Sequence, residues 1–329
     1  MTQCLAATSS VFSSAARTLI VAATITTAAS LAPGKPANAD SAAEAVENIS
    51  SQGLGDYFGA KPPGDSPELF APGLVSKPDR FEAKLIFSQD LQECYLTETD
   101  ATFSQPKLLA AYRKKGAWTA FAPASFSAKF KVCHEPFISR DNQKLYFTAD
   151  GDSAVPGNER DFWVVERTQS GWGEPTRLPT PINSPSVEFF YNQTSDGTVV
   201  FASNRPGGQG HFDLYYVVKD ASGAARAVNF GPTINSPGPE FDPCISPDGR
   251  FLIFASVRDG ANNLNLYISH HKGDNTWSKP VELGGKVNTA ANEYGPSLSP
   301  DGQYLFFVRH DGKQSDVYWI RTASIVGGN

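Results

Sequence analysis

The chain has 329 residues, of which 40% are hydrophobic and 19% are charged, with 34 acidic and 28 basic side chains and a formal net charge of −6. Because the chain is acidic and has no basic run, we expect no nucleic-acid partner. Its length would allow two domains, but the internal repeats described below favour one large β-domain.

The first 39 residues differ in composition from the rest of the chain. Arg17 is the one charged residue among the first 34, and an apolar run extends over residues 18–31. Ala37-Asn38-Ala39 is a small-x-small sequence typical of a signal-peptidase site. The apolar run is too short to span a membrane. We therefore predict a signal peptide at 1–39, a periplasmic or secreted protein, and a flexible linker at 40–66.

From residue 67 onward one sequence unit recurs. Ser-Pro-Asp-Gly occurs at 246–249 and 299–302, and looser copies place Asp90, Asp141 and Asp196 at equivalent positions, so that successive aspartates are 51, 55, 52 and 53 residues apart. Each aspartate turn is followed by a short apolar run, an alternating run and a short edge-type segment, separated by polar turns. Four short antiparallel strands in about 50 residues are typical of one propeller blade.

These copies predict an all-β fold, a β-propeller of about five four-stranded blades over residues 67–322, followed by a C-terminal tail at 323–329. Six blades are the alternative if residues 100–130 contain further strands. The fifth copy has no fourth strand after residue 321, whereas residues 67–76 precede Glu82 much as 281–289 precede Glu293. We therefore predict that the N-terminal segment pairs with residues 316–321, completes the last blade and closes the ring.

Two stretches carry a resemblance to a known family. INSPGPEFDPCISPDGRFLIFAS (residues 234–256) and VNTAANEYGPSLSPDGQYLFFV (residues 287–308) resemble the TolB-type β-propeller repeat, a relative of the tryptophan-aspartate repeat. The resemblance covers roughly residues 67–322 and implies a propeller. Repeats of this type occur in periplasmic scaffolds, in peptidase accessory domains and in some polysaccharide lyases, so the fold does not decide the activity.

A set of glutamates recurs with the repeat. Each lies eight residues before a turn aspartate, at the start of a first strand: Glu82, Glu188, Glu240 and Glu293. Because the blades of a propeller are related by rotation, we predict that these side chains gather at one mouth of the central channel. Clustered carboxylates could bind calcium or the amine groups of a ligand, and we expect no other cofactor or metal.

The second copy departs from this pattern. Cys133 takes the glutamate position, with His134 and Glu135 beside it, and His134 is the one histidine that we consider a candidate ligand. The alternative to a shared binding site is that each glutamate is neutralised by backbone N–H groups or by an arginine of a neighbouring blade, such as Arg205 or Arg258.

Three cysteines follow the predicted cleavage site: Cys94, Cys133 and Cys244. Cys94 and Cys244 lie in strand patterns, which favours buried free thiols. A disulfide between Cys94 and Cys133 is the alternative.

The chain contains no Gly-x-Ser-x-Gly elbow, no His-Glu-x-x-His sequence and no phosphate-binding glycine loop. We therefore expect an exported, monomeric and non-enzymatic propeller that binds a protein or an envelope polymer at one ring face. The alternative is a carbohydrate-active enzyme, a glycoside hydrolase or a polysaccharide lyase, with its site at the channel mouth. Such a hydrolase needs two carboxyl groups about 5 to 10 Å apart.

Overall fold

The computed structural model describes residues 56–150 and 160–327, and these residues fold almost entirely into β-strands. The predicted signal peptide and residues 40–55 lie outside this part of the chain. Within it, no helix has both the length and the apolar character needed to cross a membrane.

The strands form five consecutive sets, preceded by the short strand β1 (Glu68–Leu69). The first set contains β2 (Phe81–Phe87), β3 (Glu93–Thr99), β4 (Lys107–Lys114), β5 (Ala117–Trp118) and β6 (Ala122–Pro123). The second contains β7 (Cys133–Ile138), β8 (Lys144–Ala149), β9 (Asp161–Thr168), β10 (Gly171–Trp172) and β11 (Thr176–Arg177). The third contains β12 (Glu188–Gln193), β13 (Val199–Ser203), β14 (Asp213–Lys219) and β15 (Ala225–Asn229).

The fourth set contains β16 (Glu240–Ile245), β17 (Phe251–Ser256), β18 (Asn265–Gly273), β19 (Thr276–Trp277) and β20 (Val281–Glu282). The fifth contains β21 (Asn292–Leu298), β22 (Tyr304–His310) and β23 (Ser315–Arg321). The helical turns in the described residues are short: Asp56–Gly59, Ser127–Lys129, Gly284–Val287 and Ala323–Val326.

Within each set the first three strands pair antiparallel in chain order, and the short outer strands pair with the third. The strands within residues 100–130 follow this rule, because β5 and β6 both pair with β4. A parallel pairing of Phe81 in β2 with Ser315 in β23 also joins the first and fifth sets in one sheet. The architecture is therefore a series of antiparallel strand sets, as in a β-propeller.

The fifth set receives its outer strand from the N-terminal segment. Leu69 of β1 lies opposite Tyr318 of β23, which is the pairing that the sequence predicts for this segment. The N–H of Phe70 continues the contact by donating to the carbonyl of Val317 at 2.8 Å. Next to this strand, Tyr57 and Phe58 are buried, and Phe58 stacks on Trp118 with a centroid distance of 4.6 Å.

The first strands of the five sets lie side by side. β7 contacts β2 and β12, β16 contacts β12 and β21, and β21 contacts β2. Four clusters of buried apolar side chains fill the spaces between neighbouring sheets. Burial of these side chains supplies most of the free energy that holds the sheets face to face.

The recurring aspartates form turns between first and second strands. In the fourth set the Ser246 hydroxyl donates to Asp248 at 2.7 Å and accepts the N–H of Phe251 at 3.0 Å. Ser or Thr makes the same bond to the aspartate in the other four sets. This bonding explains why a hydroxyl residue and an aspartate recur two positions apart.

Every first strand contains a β-bulge just after its beginning. At the bulge, the residues two positions after the glutamate or cysteine position have positive φ in four of the five sets: Glu135 (53°), Phe190 (63°), Asp242 (52°) and Gly295 (61°). A Cβ on Gly295 would lie 2.4 Å from the carbonyl oxygen of Ala83, so glycine allows β21 and β2 to approach closely. In each set the bulge interrupts the hydrogen bonds between the first and second strands and changes the direction of the side chain two positions after the glutamate or cysteine position.

Candidate functional site

The four recurring glutamates are fully buried, each at the first or second residue of a first strand. Each forms an ion pair with an arginine: Glu82 with Arg80 (2.7 Å), Glu188 with Arg205 (3.1 Å), Glu240 with Arg258 (3.0 Å) and Glu293 with Arg309 (2.9 Å). Arg205 and Arg258 follow the second strand of the same set, so the arginine does not come from a neighbouring blade.

Glu240 shows how such a pair is built. Its Oε1 accepts bonds from the hydroxyls of Ser236 (2.5 Å) and Ser256 (2.9 Å) and from Arg258, while its Oε2 accepts the backbone N–H of Ser236 at 3.0 Å. The Arg258 guanidinium also donates to the carbonyl of Ile234. The carboxylate and the arginine therefore fasten the segment between the third and fourth sets to the first strand of the fourth.

Equivalent bonds fasten the other connecting segments. Glu188 accepts from Ser184, Ser203 and Arg205, and Arg205 also donates to the carbonyl of Ile182 at 2.9 Å. Burial raises the pKa of Glu188, as it does that of Glu240, because these bonds offset only part of the lost hydration. Burial likewise raises the pKa of Glu82 to about 8. The bonds of Glu188 and Glu240 join connecting segments to first strands, whereas Oε2 of Glu82 is buried and accepts no hydrogen bond.

The second set lacks this arrangement. Cys133 is buried at the glutamate position, and the sequence 16 to 18 residues later contains no arginine. Instead Asp150 accepts the backbone N–H of Val132 at 2.9 Å. His134 is also buried, and burial lowers its pKa to about 3, so the imidazole is neutral near pH 7. Its Nδ1 lies 3.7 Å from Oε1 of Glu135.

A second cluster of charged side chains lies among the bulges of the first strands. We call Lys84, Glu135 and Asp242 the axial cluster; their exposed fractions are 5%, 6% and 3%. Nζ of Lys84 lies 3.9 Å from Oδ1 of Asp242 and donates to the carbonyl of Pro296 at 3.0 Å. Burial raises the pKa of both Glu135 and Asp242 to about 7, and the Glu135 charge contributes to the shift of Asp242.

Sequence reasoning considered Glu135 only as a neighbour of Cys133 and missed Lys84 and Asp242. Lys84, Glu135 and Asp242 are each two residues after the recurring glutamate or cysteine position. The sequence signal that could have revealed the cluster is the presence of charged residues inside strands whose other residues are apolar. Charged residues are rarely buried without a partner, so such positions indicate that partners lie nearby.

A narrow cavity of about 60 Å³ is lined by the distal halves of all five first strands. Lys84 lines it together with Ile86, Phe137, Tyr191 and Cys244, and Arg140, Gln89 and Gln193 lie at its turn end. Small-molecule sites usually enclose about 300 to 1,000 Å³. The cavity is therefore too small to enclose a sugar ring together with its neighbours in a polymer.

Among the residues described, no group of three or more His, Cys, Asp or Glu side chains is arranged to hold a metal ion. Cys94, Cys133 and Cys244 are buried free thiols, and the alternative disulfide between Cys94 and Cys133 is not formed. Burial raises the pKa of all three thiols, so they are protonated at neutral pH.

No protein-family model and no curated protein matches the chain. Solved structures are similar at low identity. A protein of Agrobacterium tumefaciens assigned as a TolB is 18% identical, with a TM-score of 0.48, and the match covers 76% of this chain and 79% of that one. TolB from Acinetobacter baumannii is 15% identical, with a TM-score of 0.42 and coverage of 73% and 54%. An oligogalacturonate lyase in complex with manganese is 14% identical, with a TM-score of 0.39 and coverage of 71% and 63%.

This chain therefore spans little more than half of the Acinetobacter protein. At these identities and scores the similarities assign no activity.

Proposed function

We propose that this protein is an exported, non-enzymatic β-propeller of five blades, closed by its N-terminal strand, which binds a protein or an envelope polymer as a monomer. The main support for a non-enzymatic protein is that each of the four recurring glutamates is fully buried and paired with arginine. A catalytic carboxyl must reach its substrate and exchange protons with it. Carboxylates fixed in this way hold connecting segments instead.

The five-bladed, closed ring is supported by two observations. The first strands contact one another in a cycle that runs from β2 through β7, β12, β16 and β21 back to β2. The outer position of the last set is occupied by β1 from the other end of the chain. Together they favour a ring over an open array, which would leave sheet edges exposed.

The binding face that we favour carries the aspartate turns, because Gln89, Arg140 and Gln193, which line the narrow cavity, lie in or beside these turns. Hydrogen bonds from hydroxyl groups and backbone N–H groups lower the pKa of Asp141 and Asp196 on this face. The face therefore presents ionised carboxylates and an exposed arginine, a polar surface suited to a hydrated partner.

The test is capture from an envelope extract with the immobilised full-length chain. Arg140→Glu reverses a charge on the turn face, and Ala290→Glu introduces a glutamate at the opposite end of the first strands, where Ala290 is exposed. We expect Arg140→Glu to lose the captured partner and Ala290→Glu to retain it. Protease or glycosidase treatment of the extract then separates a protein partner from a polymer. Equal loss in both variants, or no capture by the wild type, would contradict the proposal.

The alternative function, a carbohydrate-active enzyme, is favoured by one observation. Glu135 and Asp242 are two interacting carboxyl groups whose pKa values burial raises to about 7, as in many acid–base pairs. Their burial and the small cavity beside them oppose access by a polysaccharide. Release of reducing ends or unsaturated products from a polysaccharide panel, abolished by Glu135→Gln, would establish this alternative and refute the binding-only proposal.

A further inference from the structure

The axial cluster brings charged groups from three different sets of strands into the centre of the molecule. Lys84 belongs to β2, Glu135 to β7 and Asp242 to β16, and Lys84 also bonds to Pro296 of β21. β12 contributes the apolar side chain of Phe190 at the equivalent position. No recurring turn or connecting segment needs these charges, so the repeat itself does not explain them.

The charges of the cluster do not balance when both carboxyls are ionised. Lys84 is the one cation that the described residues direct toward the carboxyl pair, so it can neutralise one of the two charges. Oε2 of Glu135 and Oδ1 of Asp242 are buried and accept no hydrogen bond, whereas the backbone N–H of Gly295 donates to the Asp242 carboxylate. Ionising both carboxyls would therefore leave one buried oxygen of each without a donor, which is unfavourable, whereas a neutral carboxylic acid is tolerated.

The other titratable groups near the pair cannot supply the missing positive charge. His134 from β7 is neutral, because burial lowers its pKa to about 3. Burial raises the pKa of Cys244 from β16 to about 11 and also raises the pKa of Tyr294 from β21. Tyr294 already shares a hydrogen bond with Ser315 at 2.9 Å.

We propose that the axial cluster is a proton-binding site: one proton, held by Glu135 or Asp242, leaves the cluster neutral and keeps the first strands packed at the axis. Loss of that proton leaves an unbalanced negative charge among β2, β7 and β16, which weakens their packing. The proton acts here as a ligand of the folded state, and the site operates whether or not the protein binds a partner at its face.

The direction of the pH effect follows from linkage. The ordinary pKa values of Glu and Asp are 4.5 and 3.8, and burial raises those of Glu135 and Asp242 to about 7. Between about pH 5 and pH 7 the folded protein therefore holds protons that the unfolded chain has released. The stability that this protonation contributes is complete below about pH 4 and is lost as the pH rises through 7.

The experiment is urea denaturation of the full-length wild type, Glu135→Gln and Asp242→Asn between pH 5 and pH 8.5. For one linked proton, the ratio of folded to unfolded wild type should fall by up to about tenfold per pH unit, relative to either variant, on approaching pH 7. Each amide imitates the protonated acid, so the stability difference between variant and wild type should be small at pH 5, where the loss has only begun, and should favour the variants clearly at pH 8.5.

Glu166→Gln is the matched control, because Glu166 is an exposed carboxylate; its curve should parallel the wild type. Burial also raises the pKa of Glu82 to about 8. Because Glu82 is present in the wild type and in every variant, its contribution to the pH dependence of stability cancels when the curves are compared. On unfolding at pH 6, calorimetry in buffers of different ionisation heat should show about one proton fewer released by Glu135→Gln than by the wild type. Parallel stability curves for wild type and Glu135→Gln, or failure of both amide variants to fold, would overturn the proposal.

Discussion

Truncation of Phe70 to alanine tests whether the N-terminal strand holds the last set of strands. Phe70 follows β1, its side chain is fully buried, and its backbone N–H donates to Val317 in β23. Its ring lies edge-on to Trp319 and Phe306, with centroid distances of 4.9 and 5.0 Å. A buried ring in these contacts leaves a cavity when it is removed.

The expected cost follows from that cavity and those contacts. Phe→Ala substitutions in cores cost about 3 to 5 kcal/mol, and aromatic pairs add about 0.5 to 1.5 kcal/mol each beyond burial. Because part of the pair energy is already included in the first range, we expect about 4 kcal/mol. At roughly 2 to 4 °C per kcal/mol for a domain of this size, the melting temperature should fall by about 8 to 16 °C.

Leu69→Ala is the matched control, because Leu69 neighbours Phe70 and its side chain is 39% exposed. We expect this change to cost less than about 1 kcal/mol. Urea denaturation followed by tryptophan fluorescence reports on the same region, since Trp319 lies in β23. If Phe70→Ala loses no more stability than Leu69→Ala, the N-terminal strand does not complete the last set and the closed ring is wrong.

Three further expectations concern other parts of the molecule. Glu240→Gln should lower the free energy of unfolding by about 3 kcal/mol, because it leaves Arg258 buried without its carboxylate. The control Arg250→Gln, which removes an exposed ion pair, should change it by less than about 1 kcal/mol. Equal effects of the two changes in thermal unfolding would contradict a structural role for Glu240. Millimolar calcium should leave the melting temperature unchanged, because the recurring glutamates are paired with arginine. A calcium-dependent rise in the melting temperature that Glu240→Gln abolishes would instead support a calcium site at these glutamates. Cys94, Cys133 and Cys244 should react only after unfolding when the protein without residues 1–39 is titrated for thiols in the absence of reductant; finding one thiol instead of three would reveal a disulfide.

The turns and strands could be predicted because their chemistry is local in sequence. The bond from Ser246 to Asp248 joins residues two positions apart, and the continuous apolar run of the buried strand β17 is visible in six residues. The source of the arginine was harder to predict. Arg205 reaches Glu188 only because β12 and β13 form a hairpin, which brings residues 17 positions apart together.

The axial cluster could not be predicted from strand alternation alone. A regular strand sends alternate residues to opposite faces, but the bulge after His134 and the one after Phe241 change that order. Glu135 and Asp242 therefore face groups that simple alternation does not assign to them. A sequence pattern gives the position of a strand more reliably than the position of a bulge within it.

The pairing of β1 with β23 also has a consequence for biosynthesis. Leu69 pairs with Tyr318, which is made 249 positions later. At roughly 5 to 20 residues per second, the first strand waits on the order of 10 to 50 s for its partner. The strand that waits is only two residues long, too short to recruit a foreign strand edge effectively. The seven-residue β23 is synthesised last, when β22 and β1 are both available on its two sides. Assigning the short strand to the beginning of the chain therefore limits the time for which a long strand edge is open to aggregation.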